Sequence, residues 1–209
     1  MKKIAVLFIS LLASLYVFAQ TPVQIASRME AEMEKHKEDG VHLYMDLKFP
    51  IVGTFTTSMY QKGEKIRLEV TVADSLIITW NDGTTVWIYI SPAKEVTIRN
   101  SNSNDDASVG GNSEIFCDIT GGYNVSLSKE TPKEWYLTCK KSKANKDKEA
   151  PKKMELVVAK GTYYPVSLST KMMGVTMTLR DVTFGVFDEQ LTFNIADYPG
   201  VKVKDERTQ

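Results

Sequence analysis

From Val41 to Ile98 the apolar residues fall mostly on every second position. Val41, Leu43, Met45, Leu47 and Phe49 alternate with His42, Tyr44, Asp46 and Lys48. Phe55 and Met59 follow with Thr and Ser opposite them, and then Ile66, Leu68, Val70 and Val72 alternate with Lys65, Arg67, Glu69 and Thr71. A period of two belongs to a strand with one face buried and one face wet, whereas a helix needs spacings of three and four. Short polar breaks between the runs leave no room for crossover helices, so neighbouring strands must run antiparallel. Asn81-Asp82-Gly83 is a hairpin signal between Leu76–Trp80 and Thr84–Ile90. Val96 and Ile98 close this first half.

One segment has the other period. Thr21-Pro22-Val23-Gln24 is a helix start, with Thr21 as cap, Pro22 at the first helical position and Gln24 reaching back. Val23, Ala26, Met29 and Met33 make one apolar stripe, and Gly40 suits the stop. A helix is predicted from about Pro22 to Glu38. Strands are expected again at Met154–Ala159, Tyr163–Thr170, Val175–Leu179, Val182–Gly185 and Leu191–Phe193. Residues 100–114 are rich in Asn, Ser, Asp and Gly and support no core, and Glu114 to Thr120 is read as a helical turn. Seven lysines between 140 and 153 face only Asp147 and Glu149, which suggests an exposed hairpin extension. About ten or eleven strands, one long helix and no βαβ alternation give the fold class α+β. The expected domain has a strongly curved antiparallel sheet, an unclosed β-barrel, with the N-terminal helix packed on its concave face.

Residues 1–19 read as a cleaved signal peptide. Lys2 and Lys3 precede an apolar run from Ile4 to Phe18, and Ala19 ends it. Residues 20–209 would then be a single exported periplasmic domain. No cysteine follows the apolar run, so a lipid anchor on the first mature residue is not expected. Export makes Cys117 and Cys139 a disulfide candidate, with two buried thiols as the alternative.

Acidic and basic residues balance at 26 each, which gives nucleic acid no basic field. His36 and His42 lie outside any hydrolase or metalloprotease motif. Asp105-Asp106 lacks the glycine and the final glutamate of a calcium loop. No catalytic residue, metal or cofactor is expected, and the chain is read as a non-enzyme. The methionines carry more information. There are nine, three of them in Met172-Met173-Gly174-Val175-Thr176-Met177. Such side chains either fill an irregular core under the helix or line a surface that adapts to its ligand. A bent sheet of this size is either closed by side chains or left with a cavity. Spacing alone decides neither question.

Asp74-Ser75-Leu76-Ile77-Ile78-Thr79-Trp80-Asn81-Asp82-Gly83-Thr84-Thr85-Val86-Trp87-Ile88-Tyr89 resembles the central hairpin of the periplasmic outer-membrane lipoprotein carriers (LolA-like). Ser91-Pro92-Ala93-Lys94-Glu95-Val96 continues the pattern. Leu191-Thr192-Phe193-Asn194-Ile195 and Pro199-Gly200-Val201-Lys202-Val203 resemble the family's ending. The resemblance implies an unclosed barrel with a lid, and a hydrophobic cavity that shields acyl chains of lipoproteins or another lipid on the way to the outer membrane. It also implies an inner-membrane donor and an outer-membrane acceptor protein, for a protein expected to be a monomer. For the arginine that helps to hold the family's lid, only Lys62 or Lys65 could stand in here. Combined with the alternation, it makes Met29, Met33, Met45, Phe55, Leu68, Val70, Ile78, Trp80, Met173, Val175 and Met177 the candidate lipid-binding cavity. Two alternatives remain at this stage. One is an envelope interaction or sensor module that docks a protein segment, and the other is a structural barrel with a filled core.

Overall fold

The computed structural model describes residues 20–101, 116, 118–148 and 150–207. Most of the polar 100–114 stretch, Asp105-Asp106 and Cys117 lie outside these, as does the expected signal peptide. Helix α1 (Pro22–Lys35) begins with the expected capping box: the Gln24 N–H donates to Thr21 Oγ1 at 3.2 Å, and the Thr21 N–H donates to Gln24 Oε1 at 2.9 Å. The helix ends three residues earlier than the sequence suggested, in a turn over 36–39.

Twelve strands follow among the described residues: β1 (Val41–Phe49), β2 (Gly53–Lys62), β3 (Lys65–Val72), β4 (Ser75–Asn81), β5 (Thr85–Ile90), β6 (Glu95–Asn100), β7 (Tyr123–Glu130), β8 (Glu134–Lys141), β9 (Lys153–Ala159), β10 (Pro165–Met172), β11 (Val175–Phe184) and β12 (Lys202–Asp205). A short helix, α2 (Ile119–Gly122), precedes β7. The strands form one sheet in the order β12-β6-β5-β4-β3-β2-β1-β11-β10-β9-β8-β7, so β12 and β7 are unjoined edges. All pairings are antiparallel except β12 on β6. Single strand β11 replaces the two expected at Val175–Leu179 and Val182–Gly185. A bulge opposite His42 and Tyr44 carries the chain through without a break. Leu191–Phe193 is not a strand: Leu191 ends a 3-10 turn (Asp188–Leu191).

The face that receives α1, the inner face, holds the main core. Ile25, Ala26, Met29 and Met33 pack on Leu43, Met45, Met59, Leu137, Leu156, Leu168 and Leu179. Val23 is exposed and Ile25 takes its place in the stripe, because the helix is rotated relative to the expected face. Each long apolar side chain buried here contributes about 1.5–3 kcal/mol. A second core lies on the outer face, where the chain after β11 folds back over β3 to β6. Phe193 and Tyr198 meet Trp80 at ring distances of 5.3 and 5.7 Å, and Tyr198 lies 4.5 Å from Tyr89. Arg67 sits 5.4 Å over Trp80, and one of its terminal nitrogens donates to the Gln190 carbonyl at 3.1 Å.

Candidate functional site

Register decides which candidates share a face, because residues directly opposite one another in an antiparallel pair point the same way. Leu47 opposes Phe55 on one side and Met177 on the other. Thr57 opposes Val70, which opposes Ile77, which opposes Ile90. Met172 opposes Val175. These belong to the inner face. Of the candidates, Met29, Met33 and Met45 are buried between α1 and the sheet, so they pack as core. Leu68 and Met177 are half-buried at the border of that core. Phe55, Val70 and Val175 are half-buried on the same face beyond it.

Ile78 and Trp80 are corrected to the other face. Ile78 opposes Glu69 and Trp80 opposes Arg67, one position out of step with Leu68 and Val70. Trp80 is 3 % exposed, covered by the C-terminal aromatics. Met173 does not line the face either: it sits at the β10–β11 turn and is 97 % exposed. Reading alternation across β4 failed because Leu76-Ile77-Ile78 is apolar on both sides, the mark of a strand covered on both faces. The same signal marks Val86-Trp87-Ile88-Tyr89-Ile90. Leu47, Ile77, Ile88 and Ile90, absent from the candidate set, lie half-buried on the inner face.

The result is an inner face in two halves. Towards the start of β1, α1 covers it. Towards the end of β1, Leu47, Phe55, Val70, Ile77, Ile90 and Val175 form a half-buried apolar floor. The polar groups on this face are the hydroxyls of Thr57, Thr79 and Thr170 and the half-buried carboxylate of Glu95, opposite Ile90.

At the other end of the face, a pocket of about 320 Å³ lies between the end of α1 and the β1–β2 strands, lined by Met33, His36, Gly40, Gln61 and Phe184 among others. His36 is held in place there: Nδ1 is 2.7 Å from Asp39, Nε2 is 2.8 Å from the Tyr164 hydroxyl, and the ring stacks on Phe184 at 4.3 Å. His42 lies on the outer face, with Nε2 2.9 Å from Ser58 Oγ and its ring on Tyr60 at 4.2 Å. Burial lowers its pKa below the ordinary value, against the pull of Glu69. Lys62, one of the two stand-ins for a lid arginine, is 3.3 Å from Asp188 of the C-terminal segment. Cys139 is fully buried on β8, and as a thiol it is pushed up to about 12 by burial. Among the described residues no group of three His, Cys, Asp or Glu is placed to hold a metal, and no helix is long and apolar enough to cross a membrane.

No protein-family model and no curated protein sequence matches the chain. Solved structures do. An uncharacterized conserved protein from Thermus thermophilus matches 87 % of this chain and 99 % of its own, at 13 % identity and a TM-score of 0.50. The Mycobacterium tuberculosis lipoprotein LppX matches over 78 % and 94 %, at 12 % identity and 0.51. The likeness to these two is one of fold. A LolA superfamily protein from Nitrosomonas europaea is also matched, over 84 % and 99 % at 13 % identity, but its TM-score of 0.33 carries no weight by itself. At such identities the likeness concerns the fold alone, and the chemistry of the inner face has to speak for function.

Proposed function

We propose that this protein is a non-catalytic periplasmic carrier that takes acyl chains of lipoproteins or of another lipid on its inner face. The observation that supports this is the apolar floor of Leu47, Phe55, Val70, Ile77, Ile90 and Val175, left half-exposed where α1 ends its cover. Each buried methylene of an acyl chain is worth about 0.8 kcal/mol, so a lipid crossing water needs a floor of this kind. The methionines divide the work. Met29, Met33 and Met45 belong to the packed core. Met177, on the border, can repack as a chain enters. Release to an acceptor then needs only that the chain slide off a floor it does not enter deeply. An inner-membrane donor and an outer-membrane acceptor are part of this reading.

Native mass spectrometry of protein purified from its own periplasm, followed by organic extraction, tests it. Bound lipid or acylated protein is the expected result. A protein that stays empty even after incubation with lipoprotein would overturn the carrier reading in favour of a module that docks a protein segment.

A further inference from the structure

The turn between β1 and β2 carries Ile51, 96 % exposed, and Val52, 70 % exposed. The turn between β10 and β11 carries Met173, as exposed as Ile51. These turns are neighbours. Lys48 opposes Thr54 on β2 and Thr176 on β11, so both hairpins end at the same level, side by side in the order β2-β1-β11-β10. Neither turn requires its apolar residues. Met173 and Gly174 both have positive φ, +47° and +86°. Such a two-residue hairpin turn ordinarily takes Asn or Asp at the first position, where a methionine is strained. Stability is therefore given up to hold a bare thioether at the tip.

The same end of the sheet is rich in lysine. Lys48 and Lys171 flank the tips and are exposed. Thr170 opposes Met154 and Lys140 opposes Lys153, so the connection from β8 to β9 emerges at this end too. It brings exposed Lys140, Lys143, Lys146, Lys148, Lys152 and Lys153. The acidic groups here are fewer: Asp74, Glu95, Asp147, Glu149 of the same connection in the sequence, and Glu155, the last paired with Lys153 at 2.5 Å, while Asp46 is engaged by Arg180. Apolar tips of this size among cations match one kind of partner, a surface with negative headgroups over hydrocarbon.

We propose that this end of the sheet docks on an anionic lipid bilayer, with Ile51, Val52 and Met173 entering the headgroup layer and the lysines holding lipid phosphates. The half-exposed floor of the inner face opens at the same end, since Leu47, Phe55 and Val175 each stand within three positions of these turns. Docking thus brings that floor to the membrane. It does not depend on what the floor carries.

The test is co-sedimentation of the purified, lipid-stripped protein with phosphatidylcholine vesicles that contain phosphatidylglycerol, and with pure phosphatidylcholine vesicles. Binding to the anionic vesicles alone, weakened by added salt, is expected. The double variant Ile51→Ser, Met173→Ser should bind them at least about tenfold more weakly with an unchanged melting temperature. Separately, Met173→Trp should show a blue-shifted emission when anionic vesicles are added. Val70→Glu, aimed at the floor, should dock normally, so failure of the carrier reading and failure of docking are distinguishable. No vesicle binding, or equal binding by the double variant, would overturn the proposal and turn attention to an acidic protein partner.

Discussion

Glu30 on α1 holds Thr120 twice: its carboxylate accepts from the Thr120 N–H at 2.9 Å and from the Thr120 hydroxyl at 2.7 Å. This clamp joins the helix on the inner face to α2, which leads into the edge strand β7. Hydrogen bonds to a charged group contribute about 1.5–3 kcal/mol when well placed, and partial exposure here lowers that. Glu30→Ala should cost about 1–2 kcal/mol in urea unfolding and should speed amide exchange in residues 119–122. Glu30→Gln, which keeps one acceptor, should recover part of the loss. No change in either variant would mean that α2 is held by its apolar contacts alone.

Val70 and Trp80 are a matched pair for separating the two faces. Trp80→Ala empties the outer core and should cost about 3–5 kcal/mol while leaving lipid binding intact in whatever fraction stays folded. Val70→Glu puts a charge on the half-exposed floor. It should change stability by about 1 kcal/mol or less and abolish lipid binding. Lipid binding to both variants, measured beside their unfolding curves, checks this. Retained binding by Val70→Glu would remove the floor as the lipid site.

Asp46 and Arg180 form a two-point pair on the outer face, with oxygen–nitrogen distances of 2.7 and 3.2 Å. Thr56 donates to the same carboxylate at 2.6 Å. The hydrogen bonds to Arg180, helped by Thr56 and opposed by burial, hold the carboxyl below its ordinary 3.8. A lowered pKa in the folded state means stabilisation that is complete above the ordinary value and is lost as pH falls through the lowered one. Arg180 is well exposed, so solvent screening limits the pair to about 0.5–1 kcal/mol. Asp46→Asn should be less stable than wild type by that amount at neutral pH, and the gap should close in strong acid. A gap that persists there would point to packing and not to charge.

Gly40 joins α1 to β1 with φ +74°, and a Cβ built on it would lie 2.9 Å from the Gln61 carbonyl oxygen and 2.9 Å from Val186 Cβ. Its own carbonyl accepts from the Gly185 N–H at 3.2 Å. An alanine there meets both left-handed strain and backbone it cannot push aside. Gly40→Ala should cost about 2–4 kcal/mol in thermal or urea unfolding, whereas Gly174→Ala, with open space around it, should cost about 1 kcal/mol from strain alone. Equal costs would show that close approach at Gly40 is relieved by movement of the C-terminal segment.

The sequence by itself determined the opening helix and the alternating strands of the first half. Thr21, Pro22 and Gln24 act locally, within one turn, and they set the start of α1 wherever it docks. Alternation in β1 to β3 fixed which side chains share a face, because each of those strands has one apolar side. Only the tertiary structure decided the rest. Strand β4 is apolar on both sides, and which side meets α1 depends on its register with β3, so Ile78 and Trp80 went to the opposite face from Val70. That outer face is buried by Phe193 and Tyr198, which lie far along the chain from Trp80. Whether Met173 lines a floor or tips a hairpin turns on two backbone angles at 173 and 174. Local patterns record what a residue prefers; burial depends on which distant segment arrives to cover it, and no periodicity encodes that arrival.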